Sequence, residues 1–401
     1  MPFRLAVAFL VCAALRSQPP AAHTVRFADL PPGIARRFDP ASFDARIQEI
    51  ERDTSRRERE GEFEHLVYYA LQSQRFTSLP RIEPALSARE FFEKSALPGA
   101  VQARLASFLK AIGRPSRDPR LGYFAGLLAP GQRSVEFLEG EYRRVMRFLY
   151  DKEFLRREHA YETRGHSTDT QVEANYAVWT GLSVLKELRS ASAIRRVLIV
   201  GPGLDMAPRT ALVDSHPPQS FQPYAVADAL LGLGLSKPGQ LNIDCADISA
   251  RVVEFIDRFP FGTRRLELYS GPGDGEYERY FKALGGAAGK RSGGNLEVNV
   301  DVARAVRAGR LNVLTSRWEA QYDLAIATNV LVYFNRRELS LALANISSMI
   351  RPGGYFLHND GRPEIDVLAA ASGLEALQAR TVRVNTQMFD AFAIYRKAAY
   401  Q

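Results

Sequence analysis

A short apolar run that ends in two glycines constrains the fold of this chain more than any other feature. The run, Val197–Asp205, is rich in β-branched residues and carries Gly201, Gly203 and Asp205 at its end. Such a run is typical of a buried parallel strand that turns sharply at its carboxyl end. Because glycine has no side chain, a ligand can approach the backbone closely at that turn. We therefore expect Gly201 and Gly203 to line a binding cleft.

A second apolar run, Tyr322–Phe334, has the same character much later in the chain. It predicts a strand that ends at Thr328 and Asn329 and is followed by a helix. Arg351–Gly354 then predicts a turn before a further strand, Tyr355–His358. Ligands of open α/β sheets bind at the carboxyl ends of parallel strands. The two runs therefore predict the two halves of one cofactor cleft.

The sequence between these runs alternates strand and helix patterns. Strands are predicted at Arg196–Val200 and Leu241–Ala246, and Ser249 is placed to cap a helix after the second of them. Such alternation implies right-handed crossovers and a parallel sheet with helices on both faces. The glycine-rich segment Gly285–Gly294 is predicted to be a flexible loop. The predicted fold is therefore α/β, with a doubly wound, mostly parallel Rossmann-like sheet.

The sequence before the sheet has a different pattern, with apolar residues at helical spacing, as in Val101–Ile112. A chain of 401 residues with 46% hydrophobic and 24% charged residues is globular and exceeds what one core usually supports. We predict an N-terminal α-helical domain over residues 23–165 and the sheet domain over residues 166–401. Thr170 and Glu173 form a predicted capping box at the first helix of the sheet domain.

The first residues follow the pattern of a secretory signal peptide. Met1–Arg4 is basic, Leu5–Leu15 is apolar but too short to span a bilayer, and the polar residues up to His23 include small side chains. We predict a leader over residues 1–22 that is cleaved near Ala22. An exported, periplasmic or secreted protein would then have no stable membrane span. The alternative is a cytoplasmic protein whose start codon is assigned too far upstream.

Charge and cysteine content exclude several classes of function. The net charge is +8, but the basic residues are interleaved with acids, so we expect no nucleic-acid partner. Only Cys245 would remain after removal of the leader, which excludes a disulfide framework. His159 and His166 lie near each other without the carboxylate–histidine spacing of a metal site. We therefore predict no metal.

The residues after the first strand distinguish between cofactors. A nicotinamide site needs a third glycine, where this chain has Met206, and an acid about 20 residues further on. The next well-placed acids are Asp244 and Asp247. S-adenosyl-L-methionine has no pyrophosphate that must meet a helix N-terminus, so its site does not require the third glycine. It needs instead a carboxylate that accepts hydrogen bonds from both ribose hydroxyls. The pattern therefore favours S-adenosyl-L-methionine over a nicotinamide cofactor.

From about residue 240 to residue 360, the chain resembles the class I S-adenosylmethionine-dependent methyltransferases and, within them, the chemotaxis-receptor (CheR-type) group. The resemblance is carried by Cys245–Ser249, Arg279–Lys282, Leu311–Thr315, Tyr322–Phe334 and Arg351–Gly354. The match of Asn329–Phe334 to the family's Asn-Val-Leu-Ile-Tyr-Phe is the most specific. The family's Gly-Glu-Glu-Pro-Tyr after the first strand is absent, and this chain has Gly203–Pro208 there.

The resemblance implies roles for several residues that bind the cofactor. Asp247 matches the acid that binds ribose, with Asp244 as its rival, and Asp205 is the substitute for the family's other cofactor-binding acid. Thr315 and Ser316 occupy the positions at which residues of the family contact the adenine of the cofactor. The alternative role of Asp205 and Asp247 is to cap the helices that follow them.

The resemblance also implies residues near the reacting groups. Asn329 would position the methionine end of the cofactor or the acceptor, and its alternative role is to pair loop backbone. Arg164 matches an active-site arginine of the family and would orient an anionic acceptor, unless it is a solvated surface residue. Tyr333 and Phe334 are more often core aromatics than cofactor walls.

The predicted function is S-adenosylmethionine-dependent methyl transfer to an unidentified oxygen or nitrogen acceptor, a protein or a small molecule, with a carboxylate among the candidates. An exported, non-catalytic binding protein that keeps the methyltransferase fold is the alternative, and a nicotinamide enzyme is a third hypothesis. The loop Asp214–Pro223 and the helical domain are expected to shape the acceptor side of the site.

Overall fold

The structure is a computed structural model, and it describes residues 18–94, 96–170, 173–188, 193–206, 214, 217–259, 262, 264–269 and 273–399. Most of the predicted leader, residues 1–17, lies outside the described residues. Ala22–Thr24, at the predicted cleavage point, forms a short strand that pairs with Ser316–Trp318. Within the part of the chain that is described, no helix is both long and apolar enough to cross a membrane.

The first part of the described chain is helical. Its main helices are α1 (Phe43–Gln72), α2 (Pro84–Lys94), α3 (Gly99–Ile112), α4 (Pro119–Leu127) and α5 (Val135–Glu153). The predicted apolar spacing in α3 buries Val101, Leu105 and Phe108. The α5 helix begins where the hydroxyl of Ser134 accepts a hydrogen bond from the Phe137 amide at 3.2 Å.

The second part contains a seven-stranded central sheet. Its strands are β1 (Arg196–Val200), β2 (Asn242–Asp247), β3 (Val306–Arg310), β4 (Tyr322–Ala327), β5 (Ile350–His358), β6 (Leu374–Arg383) and β7 (Phe389–Lys397). The spatial order is β6-β7-β5-β4-β1-β2-β3. Every neighbouring pair is parallel except the two pairs that contain β7. The order reverses between β4 and β1, which is where ligands bind in such sheets.

Helices cover both faces of this sheet. They are α6 (Ala174–Leu188), α7 (Gln222–Gly232), α8 (Ala250–Arg258), α9 (Gly275–Ala283), α10 (Arg336–Met349) and α11 (Glu364–Ala371). Alternate residues of β1 belong to two different apolar clusters, Val197 and Ile199 to one and Leu198 and Val200 to the other. A strand that is buried on both sides is the signature of a doubly wound sheet. The predicted α/β fold is therefore confirmed.

The helical part and the sheet share their packing. One apolar cluster contains Leu105 of α3 together with Ile199 of β1, and the other contains Phe43 of α1 together with Leu198. The domain boundary at residue 165 therefore stays a prediction, because the two parts pack as neighbours.

Three local predictions are wrong. Thr170 does not cap a helix: it pairs with Asp205 in a two-residue parallel ladder, and α6 begins only at Ala174. Part of the predicted glycine-rich loop, Gly289–Ser292, is a strand in a three-stranded antiparallel sheet, where it pairs with Asn295–Val298. Arg351–Gly354 lies within β5 instead of forming a turn before it. In the first two cases backbone pairing with a neighbouring strand outweighs the local preference for a cap or a loop. Arg351–Gly354 is instead a bulge in β5, since Ile350 pairs with Tyr322 and the next paired residue, Tyr355, faces Leu324.

Candidate active site

A cavity lies at the carboxyl ends of β1, β2 and β4. One side, which we call the sheet wall, is formed by strand ends: Val200, Gly201, Gly203, Asp247, Thr328 and Asn329. The other side, which we call the helical wall, is formed by α1 and the segment that precedes α6: Thr54, Glu58 and residues 166–170. Tyr333 and Phe334 also line the cavity while being 8% and 5% exposed, so they serve both core and cavity.

The two glycines of the sheet wall have conformations and neighbours that exclude a side chain. Gly201 has a φ of +65° and Gly203 a φ of +61°. A Cβ atom at Gly201 would lie 2.5 Å from Cγ2 of Val330, and one at Gly203 would lie 2.6 Å from the carbonyl oxygen of Thr168. The structure therefore brings both residues to the cavity and shows why each is glycine.

Asp247 reaches the cavity at the end of β2. Its Oδ1 accepts a hydrogen bond from the Ser249 amide at 2.8 Å, and its Oδ2 accepts one from the Gly203 amide at 3.3 Å. Burial raises the pKa of Asp247 to about 7, although these amides act in the opposite direction. Ser249 is the N-cap residue of α8, but its side chain makes no capping hydrogen bond, and the Asp247 carboxylate satisfies its amide.

Asp244, the rival of Asp247, lies away from the cavity. Its carboxylate pairs with Arg307 and accepts a hydrogen bond from the Tyr322 hydroxyl at 2.8 Å. Because successive side chains of a strand point to opposite faces, Asp244 and Asp247 cannot both face the same side of β2. The geometry therefore favours Asp247 as the group that meets a ligand.

Asp205 does not line the cavity, contrary to the expectation from the sequence. It is completely buried, and its backbone pairs with Thr170 on one side and with Gln219 on the other. Burial, reinforced by the nearby Asp169 carboxylate, raises its pKa well above the ordinary value. Asp205 pairs with Thr170, which belongs to the helical wall, but Asp205 itself does not line the cavity.

Thr315 and Ser316 are also absent from the lining. The Thr315 hydroxyl donates to a carboxylate oxygen of Glu51 at 2.6 Å, and Ser316 pairs with Thr24. After β3 the chain makes a turn, in which the amides of Thr315 and Ser316 donate to the Asn312 carbonyl at 3.0 and 2.8 Å. Leu311, Asn312 and Val313 line the cavity in their place.

Asn329 lines the cavity and also pairs with a neighbouring loop. It has a φ of +58°, in the left-handed region that few non-glycine residues adopt. Its amide donates to Oδ1 of Asn359 at 2.8 Å, and its Oδ1 accepts from the Asn359 amide group at 2.9 Å. This pair holds Asn329 in a strained conformation at the cavity, as is common at functional sites.

Arg164 does not reach the cavity, because its guanidinium is held by a buried partner. Its Nε donates to both carboxylate oxygens of Glu64 at 2.9 Å, and its guanidinium lies 4.4 Å from the ring centre of Phe148. Its nearest link to the site is a 3.4 Å contact with the hydroxyl of Tyr333. Arg164 is thus neither a solvated surface residue nor a contact for a ligand, and it positions Tyr333.

The sequence did not reveal Arg57, which ties the two sides of the site together. Its guanidinium is 2% exposed and donates to the carbonyl oxygens of Arg164 at 2.9 Å, Tyr161 at 3.2 Å and Tyr333 at 2.9 Å. Burial lowers the pKa of this arginine. Arg57 stands in a charged stretch of α1, residues 56–60, whose pattern gives no signal that one of its arginines is buried.

The role of the segment at residues 166–170 was also missed. The atoms Nε2 of His166, Oγ1 of Thr168 and Oγ1 of Thr170 are buried and have no hydrogen-bond partner among the described residues. Buried polar groups normally have partners, so three orphans in one cavity wall indicate a polar ligand. The signal in the sequence is the polar run at residues 165–170, which lies at the predicted domain boundary.

A close backbone contact holds this segment against α1. A Cβ atom at Gly61, in the middle of α1, would lie 1.8 Å from the carbonyl oxygen of His166, and one at Gly165 would lie 2.4 Å from the Gly61 amide nitrogen. The two glycines therefore let the segment cross the helix at a distance that side chains would prevent. Within the described chain, no group of three or more His, Cys, Asp or Glu residues could hold a metal ion.

Comparison with known proteins finds partial sequence matches to methyltransferases. No family model matches the chain. The chain is 29% identical over 140 residues to a chemotaxis protein methyltransferase of Vibrio parahaemolyticus, a match that covers 34% of this chain and 48% of the relative. It is 31% identical over 136 residues to the probable biofilm formation methyltransferase WspC of Pseudomonas aeruginosa, covering 33% of this chain and 29% of the relative. The matches thus span less than half the length of either curated relative.

Among solved structures, the chain is similar to the N-methyltransferase NodS of Bradyrhizobium japonicum in complex with S-adenosyl-L-homocysteine. That alignment covers 57% of this chain and 90% of NodS, with a TM-score of 0.33 and 12% identity. A magnesium protoporphyrin IX methyltransferase of Synechocystis aligns over 64% of this chain and 96% of its own, with a TM-score of 0.33 and 10% identity. The chain therefore has a doubly wound α/β sheet, and about a third of its sequence is similar to two curated methyltransferases, in agreement with the resemblance to the CheR-type S-adenosylmethionine-dependent methyltransferases.

Proposed function

We propose that the cavity binds S-adenosyl-L-methionine and that the protein transfers its methyl group to an oxygen or nitrogen acceptor. The observation that carries this proposal is the position of Asp247, which lies at the end of β2 beside the bend of Gly201 and Gly203. A carboxylate can accept a hydrogen bond from each hydroxyl of a ribose, and the glycine bend leaves room for the cofactor beside it.

The other lining residues fit this cofactor as well. Thr168 and Thr170 carry buried hydroxyls without partners, which suit the amino acid end or the adenine of the ligand. Glu58, Asp169 and Asp247 line the cavity as acids, and in their ionised form they attract a positively charged sulfonium. Bound S-adenosyl-L-methionine would supply an activated methyl group, and these residues would hold and orient it.

Positioning is the main contribution of the protein's own residues to the reaction. Arg57 and the pair of Asn329 with Asn359 fix the loops that carry Tyr333 and the end of β4. Holding two reactants in the geometry of attack can supply roughly 7 to 11 kcal/mol of barrier reduction. If the lining residues pack closely around the reactants and exclude water, the barrier would fall further.

Titration calorimetry with S-adenosyl-L-homocysteine tests the proposal. We expect the wild type to bind this product and Asp247→Ala to bind it at least about 100-fold more weakly, since the variant loses two charge-assisted hydrogen bonds. Asp244→Asn is the matched control, because Asp244 lies on the same strand but outside the cavity. Its affinity should stay within about threefold of the wild type. Folded wild-type protein that gives no binding heat would overturn the proposal.

The second candidate, an exported binding protein without catalysis, is supported by the predicted leader over residues 1–22. Fractionation of cells that express a tagged chain distinguishes the two proposals. A processed, exported form without affinity for the cofactor would support the binding protein, and a cofactor-binding form in the cytoplasm would support the enzyme.

A further inference from the structure

The charged side chains that line the cavity have one sign. Among the described lining residues they are Glu58, Asp169 and Asp247, and none of these lining residues is a lysine or an arginine. The acids suit a sulfonium, but they offer no counter-ion to an anionic acceptor. A further carboxylate among them would suffer like-charge repulsion in addition to the cost of leaving water.

The arginines that pack near the cavity already have partners. Arg164 is held by Glu64, and Arg57 donates to three backbone carbonyls. Arg310 lies 3.9 Å from Glu58, to which it is paired outside the lining. To gain a positively charged partner among these three arginines, a carboxylate acceptor would therefore have to displace an existing one, either a carboxylate or a backbone carbonyl.

His166 adds a neutral hydrogen-bonding group to the helical wall. Its imidazole is 7% exposed and makes edge contacts with the rings of Tyr333 and Phe334, at centroid distances of 5.5 and 6.2 Å. Burial, together with Arg57 and Arg56, lowers the pKa of His166 well below its ordinary value. The ring is therefore uncharged, and a neutral imidazole has one nitrogen that accepts a hydrogen bond.

We propose, building on the function proposed above, that the acceptor is an amine and that its N–H donates a hydrogen bond to Nε2 of His166 during the transfer. This atom is buried in the wall of the cavity and has no partner among the described residues. An amine has both a lone pair for the methyl group and a proton for the imidazole. The reacting form is the neutral amine, because an ammonium has no lone pair, and the ammonium gives its proton to water before the amine enters the cavity.

The transfer to an amine balances without a general base. The nitrogen lone pair forms the new bond to the methyl carbon while the carbon–sulfur bond breaks and leaves its electron pair on sulfur. The positive charge moves from sulfur to nitrogen, and the product ammonium gives its proton to water after release. A hydroxyl acceptor would need a base to take its proton, and the buried imidazole of His166 resists protonation.

Sinefungin is a suitable probe for this contact. In this analogue of S-adenosyl-L-methionine an amine-bearing carbon replaces the methyl-bearing sulfur, so a nitrogen donor stands where methyl group and acceptor meet. Calorimetry should show that the wild type binds sinefungin about tenfold more tightly than S-adenosyl-L-homocysteine, which lacks this donor. In His166→Phe most of that difference should disappear, while the affinity for S-adenosyl-L-homocysteine stays within about twofold.

His358→Phe is the matched control. His358 is 1% exposed and its Nε2 also lacks a partner, but it does not line the cavity. This variant should keep the preference for sinefungin. Equal affinities of the two ligands in the wild type, or a preference that survives in His166→Phe, would overturn the inference but leave the proposed function intact. A protein that binds neither ligand would overturn both.

A measurement on the wild type keeps the test decisive if His166→Phe does not fold. In protein labelled with nitrogen-15 at histidine, a hydrogen bond received by Nε2 changes the chemical shift of that nitrogen. We expect sinefungin to change the Nε2 resonance of His166 relative to its position with S-adenosyl-L-homocysteine. Identical His166 resonances in the two complexes would contradict the inference.

Discussion

The sheet wall and the helical wall meet in one cavity, but they are built in different ways. The sheet wall is made of residues at strand ends, each placed by the ladder of a strand only a few residues away. The helical wall depends on contacts between distant parts of the chain, such as the bond from Arg57 to the Arg164 carbonyl across 107 positions. Under the proposed function, the cofactor side of the site is thus encoded locally and the acceptor side by tertiary packing.

The two walls also differ in what they offer a ligand. The sheet wall presents a glycine bend and one carboxylate, Asp247, which already accepts two backbone hydrogen bonds. The helical wall presents polar atoms of His166, Thr168 and Thr170 that have no partner among the described residues. The sheet wall is therefore complete in itself, whereas the helical wall is complete only with a ligand. Substitutions in each wall test this difference.

Gly203→Ala should have the largest effect, because this glycine of the sheet wall touches the helical wall. The added methyl group would lie 2.6 Å from the Thr168 carbonyl oxygen, at a φ of +61°. We expect a loss of at least ~3 kcal/mol of unfolding free energy and at least about 100-fold weaker binding of S-adenosyl-L-homocysteine, measured by denaturation and calorimetry.

Gly293→Ala is the control for this prediction. Gly293 has a φ of +57° but no atom within 4 Å of an added Cβ. It should lose only about 1 to 2 kcal/mol from backbone strain and bind the ligand normally. Equal losses of stability in the two variants, with normal ligand binding in both, would show that the close contact at Gly203 does not hold the two walls together.

Arg57→Met should have the next largest effect, since it removes the three hydrogen bonds that hold the loops of the helical wall. We expect a loss of ~3 kcal/mol of unfolding free energy, because buried carbonyl oxygens lose their donors. Urea denaturation measures it. Arg56→Met, at the neighbouring exposed position with ion pairs to Asp53 and Glu60, should cost less than ~1 kcal/mol. Similar losses of stability in the two variants would show that the hydrogen bonds of Arg57 do not hold these loops in place.

Asp247→Asn should separate binding from stability. Burial raises the pKa of Asp247 from 3.8 to about 7 in the folded protein, so folding favours its protonated form. The wild type should therefore lose ~2 to 3 kcal/mol more stability than the variant between pH 5 and pH 8, as this group ionises. Thermal denaturation at several pH values measures the difference. Parallel stability curves for the two proteins would contradict the raised pKa.

The same raised pKa predicts the pH dependence of ligand binding. A ribose donates to both oxygens of an ionised carboxylate, whereas the protonated acid has a proton on one of them. The affinity of the wild type for S-adenosyl-L-homocysteine should therefore rise as pH increases from 6 to 8, through the pKa of about 7. Calorimetry at three pH values measures it, and the Asp247→Asn variant should show a flat profile.

Thr315→Val should have the smallest effect. Its hydroxyl donates to Glu51 and lies outside the cavity, so the variant loses one hydrogen bond and no contact with a ligand. We expect a loss of ~1 kcal/mol of stability and an affinity for S-adenosyl-L-homocysteine within about twofold of the wild type. A tenfold loss of affinity would instead indicate that Thr315 contacts the cofactor.

The sequence predicted the sheet wall better than the helical wall, for a physical reason. A buried strand such as β1 has a local apolar signature, and the glycines and Asp247 follow directly from its register and that of β2. The buried state of Arg57, the pairing of Arg164 with Glu64 and the diversion of Asp205 depend on residues far apart in the chain. No local pattern of charge or hydrophobicity encodes such contacts.

The acidic lining of the cavity has a consequence for turnover. Under the proposed function the cofactor carries a positive charge on sulfur, and the acids Glu58, Asp169 and Asp247 would stabilise that charge when they are ionised. After methyl transfer the sulfur is neutral, and this attraction is lost in the same step that makes the product. The cavity would thus favour the exchange of spent for fresh cofactor without a conformational change, since its fixed charges distinguish a sulfonium from a thioether.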